Sequence, residues 1–172
     1  MKLELKTIVL FLVIYLWATL LGGIVYEHLT LHPVYLSALP DSSVLVNGKY
    51  GLRQANFWQM LHPILVTFLV ATIALNWRQT ARRKLLGVSA VVYALVLFST
   101  FGYFLPELMQ FQNSPNLPDV SPTEWFARGQ LWQGLSIIRG VVMFVGFLPL
   151  LFALTKPAEI LGDLIESRRR TL

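Results

Sequence analysis

The sequence predicts an all-α integral membrane protein: a four-helix bundle that forms a single membrane domain over residues 1–172, with both termini in the cytoplasm. The composition is the first observation behind this prediction. Of the 172 residues, 55% are hydrophobic and only 13% are charged, which is too apolar for an ordinary soluble protein. The second is the presence of four apolar runs with about the 20 residues that a helix needs to cross a bilayer. The third is the placement of the basic residues, which flank these runs.

The four apolar runs lie near 7–26, 57–76, 85–106 and 131–154. The first follows Lys2 and Lys6 as a secretory signal would, but it is longer than the apolar part of a signal. No clear small-x-small cleavage site follows it, so we interpret it as a retained first helix. The connection between the second and third runs is short, and these two helices should therefore be antiparallel neighbours.

Lysine and arginine are divided unequally between the two sides of the predicted bundle. Ten lie at the amino terminus, between the second and third helices or in the tail, namely Lys2, Lys6, Arg78, Arg82, Arg83, Lys84, Lys156, Arg168, Arg169 and Arg170. The other two connections hold three, namely Lys49, Arg53 and Arg128. Because cytoplasmic loops carry an excess of positive charge, this division predicts cytoplasmic termini in a multi-pass protein of the cell membrane, inner or plasma.

The two outer connections, about 27–56 and 107–130, are rich in residues that favour turns and irregular structure. Loops of this length are either lids over a site or plain connectors, and the sequence leaves both open. In the cytoplasmic tail, 155–172, residues 160, 161, 164 and 165 are apolar at helical spacing. This pattern is typical of a segment on the inner membrane surface, and equally of a solvated extension of the fourth helix.

Cysteine and charge exclude several classes of function. The chain has no cysteine, which excludes disulfides, thiolate metal sites, iron–sulfur clusters and haem attachment through a CxxCH motif. The net charge of +5 comes from basic residues beside apolar runs instead of on one polar face, which argues against nucleic-acid binding. The expected partners are the lipid bilayer and a small-molecule substrate, and the sequence leaves a homo-oligomer open.

Each predicted helix carries an ionisable side chain in its outer half: Glu27 and His28 on the first, His62 on the second, Glu107 on the third and Arg139 on the fourth. At a rise of about 1.5 Å per residue, His62 is roughly 8 Å deep and Arg139 roughly 12 Å deep. A second helix that began at Pro63 would instead leave His62 at the interface. The pattern predicts a polar pocket that opens outward.

Arg139 is a cation within a predicted membrane helix. Inserting it costs at least about 2.5 kcal/mol, so it should face the bundle interior, a partner or a cavity. One interpretation pairs it with Glu107 or Glu27, or extends its side chain to the outer interface. The other interpretation has it bind an anionic or carbonyl group of a ligand.

Four side chains near the outer surface are candidate metal ligands, namely Glu27, His28, His32 and His62. His28 and His32 are four residues apart and share a face if the helix runs that far. Neutral imidazole and carboxylate suit Zn, Cu or Fe, and His28 and His62 are also candidate ligands of a haem cofactor. The alternative is that these histidines only hydrogen-bond headgroups or water.

Aromatic residues accompany this region, namely Trp58, Trp125, Trp132, Tyr26 and Tyr103. They are typical of the aromatic belt at a membrane interface. Some of them would alternatively stack on a flat ligand, and Trp58, Tyr103 and Trp132 join Glu107 as candidate pocket residues.

Three short motifs carry a family resemblance. They are Leu21-Gly22-Gly23-Ile24-Val25-Tyr26-Glu27 followed by Pro33, then Phe57-Trp58-Gln59, and finally Leu131-Trp132-Gln133 with Ile137-Ile138-Arg139. Together with the helix count and order, they resemble the anthrone oxygenase-like family of four-helix membrane proteins, catalogued as a domain of unknown function. Some members are linked to oxygenation of a polycyclic anthrone to a quinone. The resemblance implies functional roles for Glu27 and Arg139, whereas the histidines do not match the shared pattern.

The sequence therefore favours a membrane-embedded oxidoreductase that acts on a small aromatic or lipid-soluble substrate. In this hypothesis Arg139 stabilises a developing oxyanion, and His62 or Glu27 moves the proton. The first alternative is a non-enzymatic protein that binds or transports an ion or small molecule. The second is a structural or assembly subunit in which the polar groups only hold the helices together.

Overall fold

The computed structural model describes residues 5–156, and every regular element in this range is helical. The first four residues and the tail beyond 156, with its predicted surface segment, lie outside the described residues. The α-helices are α1 (Leu5–Thr30), α2 (His32–Tyr35), α3 (Val44–Asn47), α4 (Gln54–Leu75), α5 (Thr80–Ser99), α6 (Leu105–Gln112) and α7 (Pro122–Leu154). A π-helical turn, Thr100–Phe104, joins α5 to α6, and the connections contain the 3-10 turns Asp41–Ser43 and Ser114–Asn116.

Within residues 5–156, four helical spans are long and apolar enough to cross a membrane: α1, α4, the continuous run Thr80–Gln112, and α7. Helices α1 and α5 each pack against both α4 and α7, so the ring order is α1, α4, α5, α7. This confirms the predicted four apolar helices and supports a multi-pass membrane protein.

The bundle core is built from apolar side chains at helical spacing. On α1 the buried positions Val13, Trp17 and Leu20 recur every three or four residues, which places them on one helix face. Trp17 donates a 3.1 Å hydrogen bond from its indole nitrogen to the Met143 carbonyl oxygen, tying α1 to α7. Large apolar side chains on the opposite faces stay exposed, for example Phe98 at 80%, as expected of surfaces that a bilayer covers.

A second core closes one end of the bundle, which we call the long-loop end because it carries the connections 31–53 and 113–121. Its buried members are Leu31, Tyr35, Leu36, Leu39, Phe104, Phe111, Trp125 and Trp132. A Cβ atom on Gly129 would lie 3.0 Å from the Leu36 carbonyl oxygen, so a larger residue would push the connection away from α7. The connections therefore form a packed cap over the long-loop end.

The predicted outer connection 107–130 is largely helical. The third span continues to Gln112, and α7 begins at Pro122 instead of near residue 131. Ser121 caps α7 by accepting a 3.2 Å hydrogen bond from the Glu124 amide, and proline is favoured at the first helical position. The hydropathy pattern missed these turns because they are polar, and the earlier start puts Arg139 near the middle of its helix.

The cytoplasmic position of the termini is a prediction that single cysteines can test, since the chain has none of its own. Cysteines at Asn116 and at Tyr50, which is 89% exposed, should react with an impermeant thiol reagent added to intact cells. A cysteine at the exposed Thr80 should stay unlabelled until the membrane is permeabilised. Ser43 is a poor probe position because it is buried. Labelling of Thr80→Cys in intact cells would refute this orientation.

Candidate functional site

Glu27, in the last turn of α1, is held by two side chains from the start of α4. Its Oε1 atom accepts hydrogen bonds from Nε2 of Gln54 at 3.0 Å and from Nε1 of Trp58 at 2.9 Å. Its Oε2 atom lies 3.6 Å from Nε2 of His32, which is too long for a hydrogen bond. The carboxyl group thus joins α1, α4 and the first residue of α2.

His28 and His32 are neighbours although the helix is interrupted between them. Their ring centroids are 4.8 Å apart in an edge-to-face arrangement, and His32 also meets the Trp132 ring edge-on at 5.0 Å. Nδ1 of His28 lies 2.7 Å from the Ile24 carbonyl oxygen. Nε2 of His28 and Nδ1 of His32 are buried and have no hydrogen-bond partner in the described residues.

His32 is neutral in the folded protein. Burial lowers its pKa to about 3, and the neighbouring His28 and Arg139 act in the same direction. The contact with Glu27 is therefore not a salt bridge at neutral pH. A neutral imidazole carries one ring proton and one lone pair, so one ring nitrogen of His32 is unprotonated and can accept a hydrogen bond inside the protein.

His62 lies inside α4, since this helix begins at Gln54 and continues through Pro63. The alternative of a helix that starts at Pro63 is therefore wrong. Nδ1 of His62 is 2.6 Å from the hydroxyl oxygen of Tyr93 on α5. Its ring stacks on Trp58 with centroids 5.7 Å apart, and Trp58 in turn binds Glu27. His62 is thus linked to the Glu27 carboxyl group through one aromatic side chain.

Arg139 lies near the middle of α7 and points at the π-helical turn. It donates hydrogen bonds to Oγ1 of Thr100 at 3.0 Å and to Oγ of Ser136 at 3.1 Å. Its guanidinium carbon is 4.0 Å from the centroid of the Phe104 ring, close enough for a cation–π interaction. Thr100 and Phe104 are the first and last residues of the π-helical turn, a type of helix irregularity that is frequent at functional sites.

The positive charge of Arg139 interacts with four ionisable side chains around it. It interacts electrostatically with Glu27 and with the three histidines. In residues 5–156, however, no carboxylate oxygen lies within ion-pair distance of the guanidinium. We call the set Glu27, His28, His32, His62, Tyr93, Thr100, Ser136 and Arg139 the polar cluster.

The predicted ion pair of Arg139 with Glu107 or Glu27 is wrong for both carboxylates in the described residues. Glu107 instead binds Arg128 in a two-pronged ion pair, from Nε at 2.7 Å and from Nη2 at 2.9 Å. Both partners lie on helical turns, where the sequence predicts an outer connection. The Arg139 side chain also does not extend to the interface, since Thr100 and Ser136 hold it inside the bundle.

The predicted aromatic belt is wrong for Trp125 and Trp132. Both are buried in the cap core, and Nε1 of Trp132 donates a 3.0 Å hydrogen bond to the Phe104 carbonyl oxygen. Tyr103 packs against the Phe104 ring at 5.1 Å. The indole nitrogen of Trp58 binds Glu27 and does not point to an interface.

The metal and haem hypothesis gains no support from the structure. Among residues 5–156, no three or more His, Cys, Asp or Glu side chains are placed to hold a metal ion. Glu27, His28 and His32 share one region, but Nδ1 of His62 is bonded to Tyr93 and that ring is stacked on Trp58. The metal site stays a prediction.

The predicted outward-opening polar pocket differs from the apolar groove that the structure shows. This groove, of about 580 Å³, lies on an outer face of the bundle between α1 and α7, and its lining is apolar. The polar cluster lies elsewhere, next to the cap: His32 is 3% exposed, whereas Glu27, His62 and Arg139 are partly exposed.

Gln54, Tyr93, Thr100 and Ser136 belong to the site but were not predicted for it. Ser136 precedes Arg139 by three residues, a spacing that places both on one helix face, and this signal was available in the sequence. Tyr93 and Thr100 are hydroxyl residues in an apolar span, and nothing in the sequence indicates which helix they face.

Protein-family models, curated proteins and solved structures were each compared with the chain, and none of the three comparisons finds a match.

Proposed function

We propose that this chain is a membrane-embedded oxidoreductase-type enzyme for a small aromatic or lipid-soluble substrate. It removes a proton from the substrate and binds the resulting oxyanion at Arg139. The observation that carries the proposal is Arg139 itself, a cation inside the bundle whose bonds in the described residues go to neutral hydroxyl groups.

A guanidinium group is rigid, planar and rich in N–H donors. Its bonds to Thr100 and Ser136 fix its plane, and the Phe104 ring covers one face. Further N–H groups remain to bind a ligand oxygen at the edge of that plane. Because the bundle interior has a low dielectric constant, a fixed cation stabilises a developing oxyanion far more there than in water.

The groups around Arg139 supply the proton acceptor. Glu27, His28, His32 and His62 all lie within reach of its electric field, and buried imidazole and carboxyl groups are the usual general acids and bases of enzymes. A deprotonated phenol or enol is electron-rich. This is the form that gives up electrons to an oxidant such as dioxygen, which links the acid–base site to redox chemistry.

A purely structural role fits Arg139 less well. A buried cation that only held helices together would be expected to pair with a carboxylate, because an uncompensated buried charge is costly. Arg128 does pair in this way with Glu107, whereas Arg139 does not. The contrast between these two arginines of α7 favours a ligand at Arg139.

The proposal predicts that the purified protein binds naphthol, a fluorescent phenol, and shifts it towards the naphtholate form at about pH 7. The emission spectra of naphthol and naphtholate differ, so one titration reports both affinity and ionisation. Arg139→Gln should weaken naphtholate binding by about tenfold to a hundredfold, because a hydrogen bond to a charged group is lost. Arg139→Lys should restore it only in part, since lysine lacks the planar fork.

The matched control is Arg78→Gln, which removes an exposed arginine in the connection between α4 and α5 and should leave binding unchanged. Equal naphtholate binding by the wild type and Arg139→Gln would exclude an oxyanion site at Arg139. Ion flux through liposomes containing the protein, without naphthol binding, would favour the transport alternative.

A further inference from the structure

The hydrogen bond of His28 fixes the position of its imidazole proton. Nδ1 lies 2.7 Å from the Ile24 carbonyl oxygen, and a carbonyl oxygen can only accept a hydrogen bond. In the neutral ring the proton is therefore on Nδ1, and Nε2 carries a lone pair. This Nε2 atom is buried and has no hydrogen-bond partner among residues 5–156.

The hydrogen bond of His62 fixes the opposite tautomer of its ring. Tyr93 is 2% exposed. Within the described residues, its hydroxyl group has His62 Nδ1 as its hydrogen-bond partner, at 2.6 Å. A buried O–H proton without an acceptor costs free energy, so Tyr93 donates and Nδ1 accepts. The proton of the neutral His62 ring is then on Nε2.

The two imidazoles belong to one cluster on neighbouring helices. His28 follows Glu27 on α1, while His62 on α4 stacks on Trp58, which donates to Glu27. Both rings interact electrostatically with Arg139. Nδ1 of His32 is likewise buried without a hydrogen-bond partner among the described residues, and its ring touches that of His28.

We propose that the site contains an acid and a base of fixed polarity, with His28 as the proton acceptor through Nε2 and His62 as the proton donor through Nε2. Tyr93 is the positioning residue that makes His62 a donor, as the Ile24 carbonyl makes His28 an acceptor. The inference rests on the proposed function and assigns the direction of proton movement within its site.

The proposed step accounts for each proton and electron pair. The O–H bond of the substrate breaks, its proton bonds to Nε2 of His28, and its electron pair stays on the oxygen beside Arg139. The N–H group of His62 donates a hydrogen bond to a second acceptor of the substrate, such as a carbonyl oxygen. The Glu27 carboxyl group lies 3.6 Å from His32, whose ring contacts that of His28.

The test is to measure the tautomer of each histidine by nitrogen-15 NMR. The sample is the purified, detergent-solubilised protein with labelled histidine. The spectra show which ring nitrogen carries the proton, and His28→Gln, His32→Gln and His62→Gln assign the signals. The expected result is Nδ1–H for His28 and Nε2–H for His62. Nδ1–H at His62, or Nε2–H at His28, overturns the inference.

Tyr93→Phe tests the positioning role, since it removes the hydroxyl and keeps the ring that packs against Trp17 at 5.1 Å. The His62 signal should change to a mixture of tautomers, and the His28 signal should not. Binding of acetylnaphthalene, a carbonyl probe, should weaken by about three- to tenfold, while naphthol binding should not. An unchanged His62 signal in Tyr93→Phe refutes the role of Tyr93.

The two proposals can fail separately. If naphtholate binding depends on Arg139 but the tautomers differ from those expected, the proposed function stands and the acid–base assignment falls. If the tautomers are as expected but neither probe binds, the assignment of ring protons stands and the proposed function falls.

Discussion

Replacing Arg139 with methionine should leave the thermal stability of the detergent-solubilised protein unchanged or raise it. Replacing Arg82 with methionine should lower the free energy of unfolding by about 2–4 kcal/mol. Arg82 is buried and Arg139 is partly buried in the bundle, and methionine retains much of the volume of their side chains. The difference between the two expected results comes from their partners.

Arg82 has structural partners at the end of the bundle opposite the cap. It is 4% exposed and donates to the Lys156 carbonyl oxygen from Nε at 3.1 Å and from Nη2 at 2.9 Å. It also lies 3.4 Å from Oδ1 of Asn76. These bonds join α5 to the residues that follow α7, and losing them leaves the side-chain oxygen of the buried Asn76 without this donor.

Arg139 instead places a charge among hydroxyl groups. Replacing Arg139 loses two hydrogen bonds and a cation–π contact. The replacement also removes the free-energy cost of desolvating a cation. Replacing a buried charge by an apolar side chain of similar volume is often neutral or stabilising, and natural sites retain such charges at the expense of stability when function needs them. Thermal unfolding followed by circular dichroism measures both variants. A larger loss of stability in Arg139→Met than in Arg82→Met would mean that Arg139 is structural.

Lowering the pH should destabilise the folded protein through His32. An unfolded histidine takes up a proton below about pH 6.5, whereas burial lowers the pKa of His32 to about 3. Between these values the unfolded state binds more protons, so stability falls as the pH falls. One proton contributes about 1.4 kcal/mol per pH unit in this window. The contribution is fully present above about pH 6.5 and is lost towards about pH 3.

The measurement is the free energy of unfolding in mixed micelles from about pH 7 to about pH 5, for the wild type and His32→Gln. Glutamine does not titrate, and all other groups contribute alike to both proteins. The wild-type slope should exceed that of His32→Gln by about 1.4 kcal/mol per pH unit at the acidic end. Identical slopes would show that His32 is protonated in the folded protein.

The helical fold could be predicted from the sequence because hydrophobic length is a strong signal. Four apolar runs predicted four helices long enough to span a membrane, and the structure has them. The boundaries at the long-loop end were wrong because hydropathy does not detect polar helical turns. Glu107 and Arg128 lie on such turns, and their ion pair was therefore invisible to the sequence.

The candidate site could be located in the sequence only in part. Glu27, His62 and Arg139 were singled out as ionisable groups near apolar segments, and the structure places them in one cluster; their roles stay proposals. The partners of these groups depend on helix rotation, which the nearly uniform hydrophobicity of membrane helices leaves undetermined. Tyr93 and Thr100 were missed for this reason.

The packed cap affects the phase from which a substrate enters the protein. With the connections folded over the long-loop end and His32 almost fully covered, the lipid-soluble substrate proposed above would enter from the surrounding lipid or detergent. A compound that partitions into the amphiphile is also diluted by it, so occupancy at a fixed total amount of compound falls as the amphiphile concentration rises. Apparent affinities for this protein therefore depend on the amphiphile present and are comparable only at equal lipid-to-protein ratio.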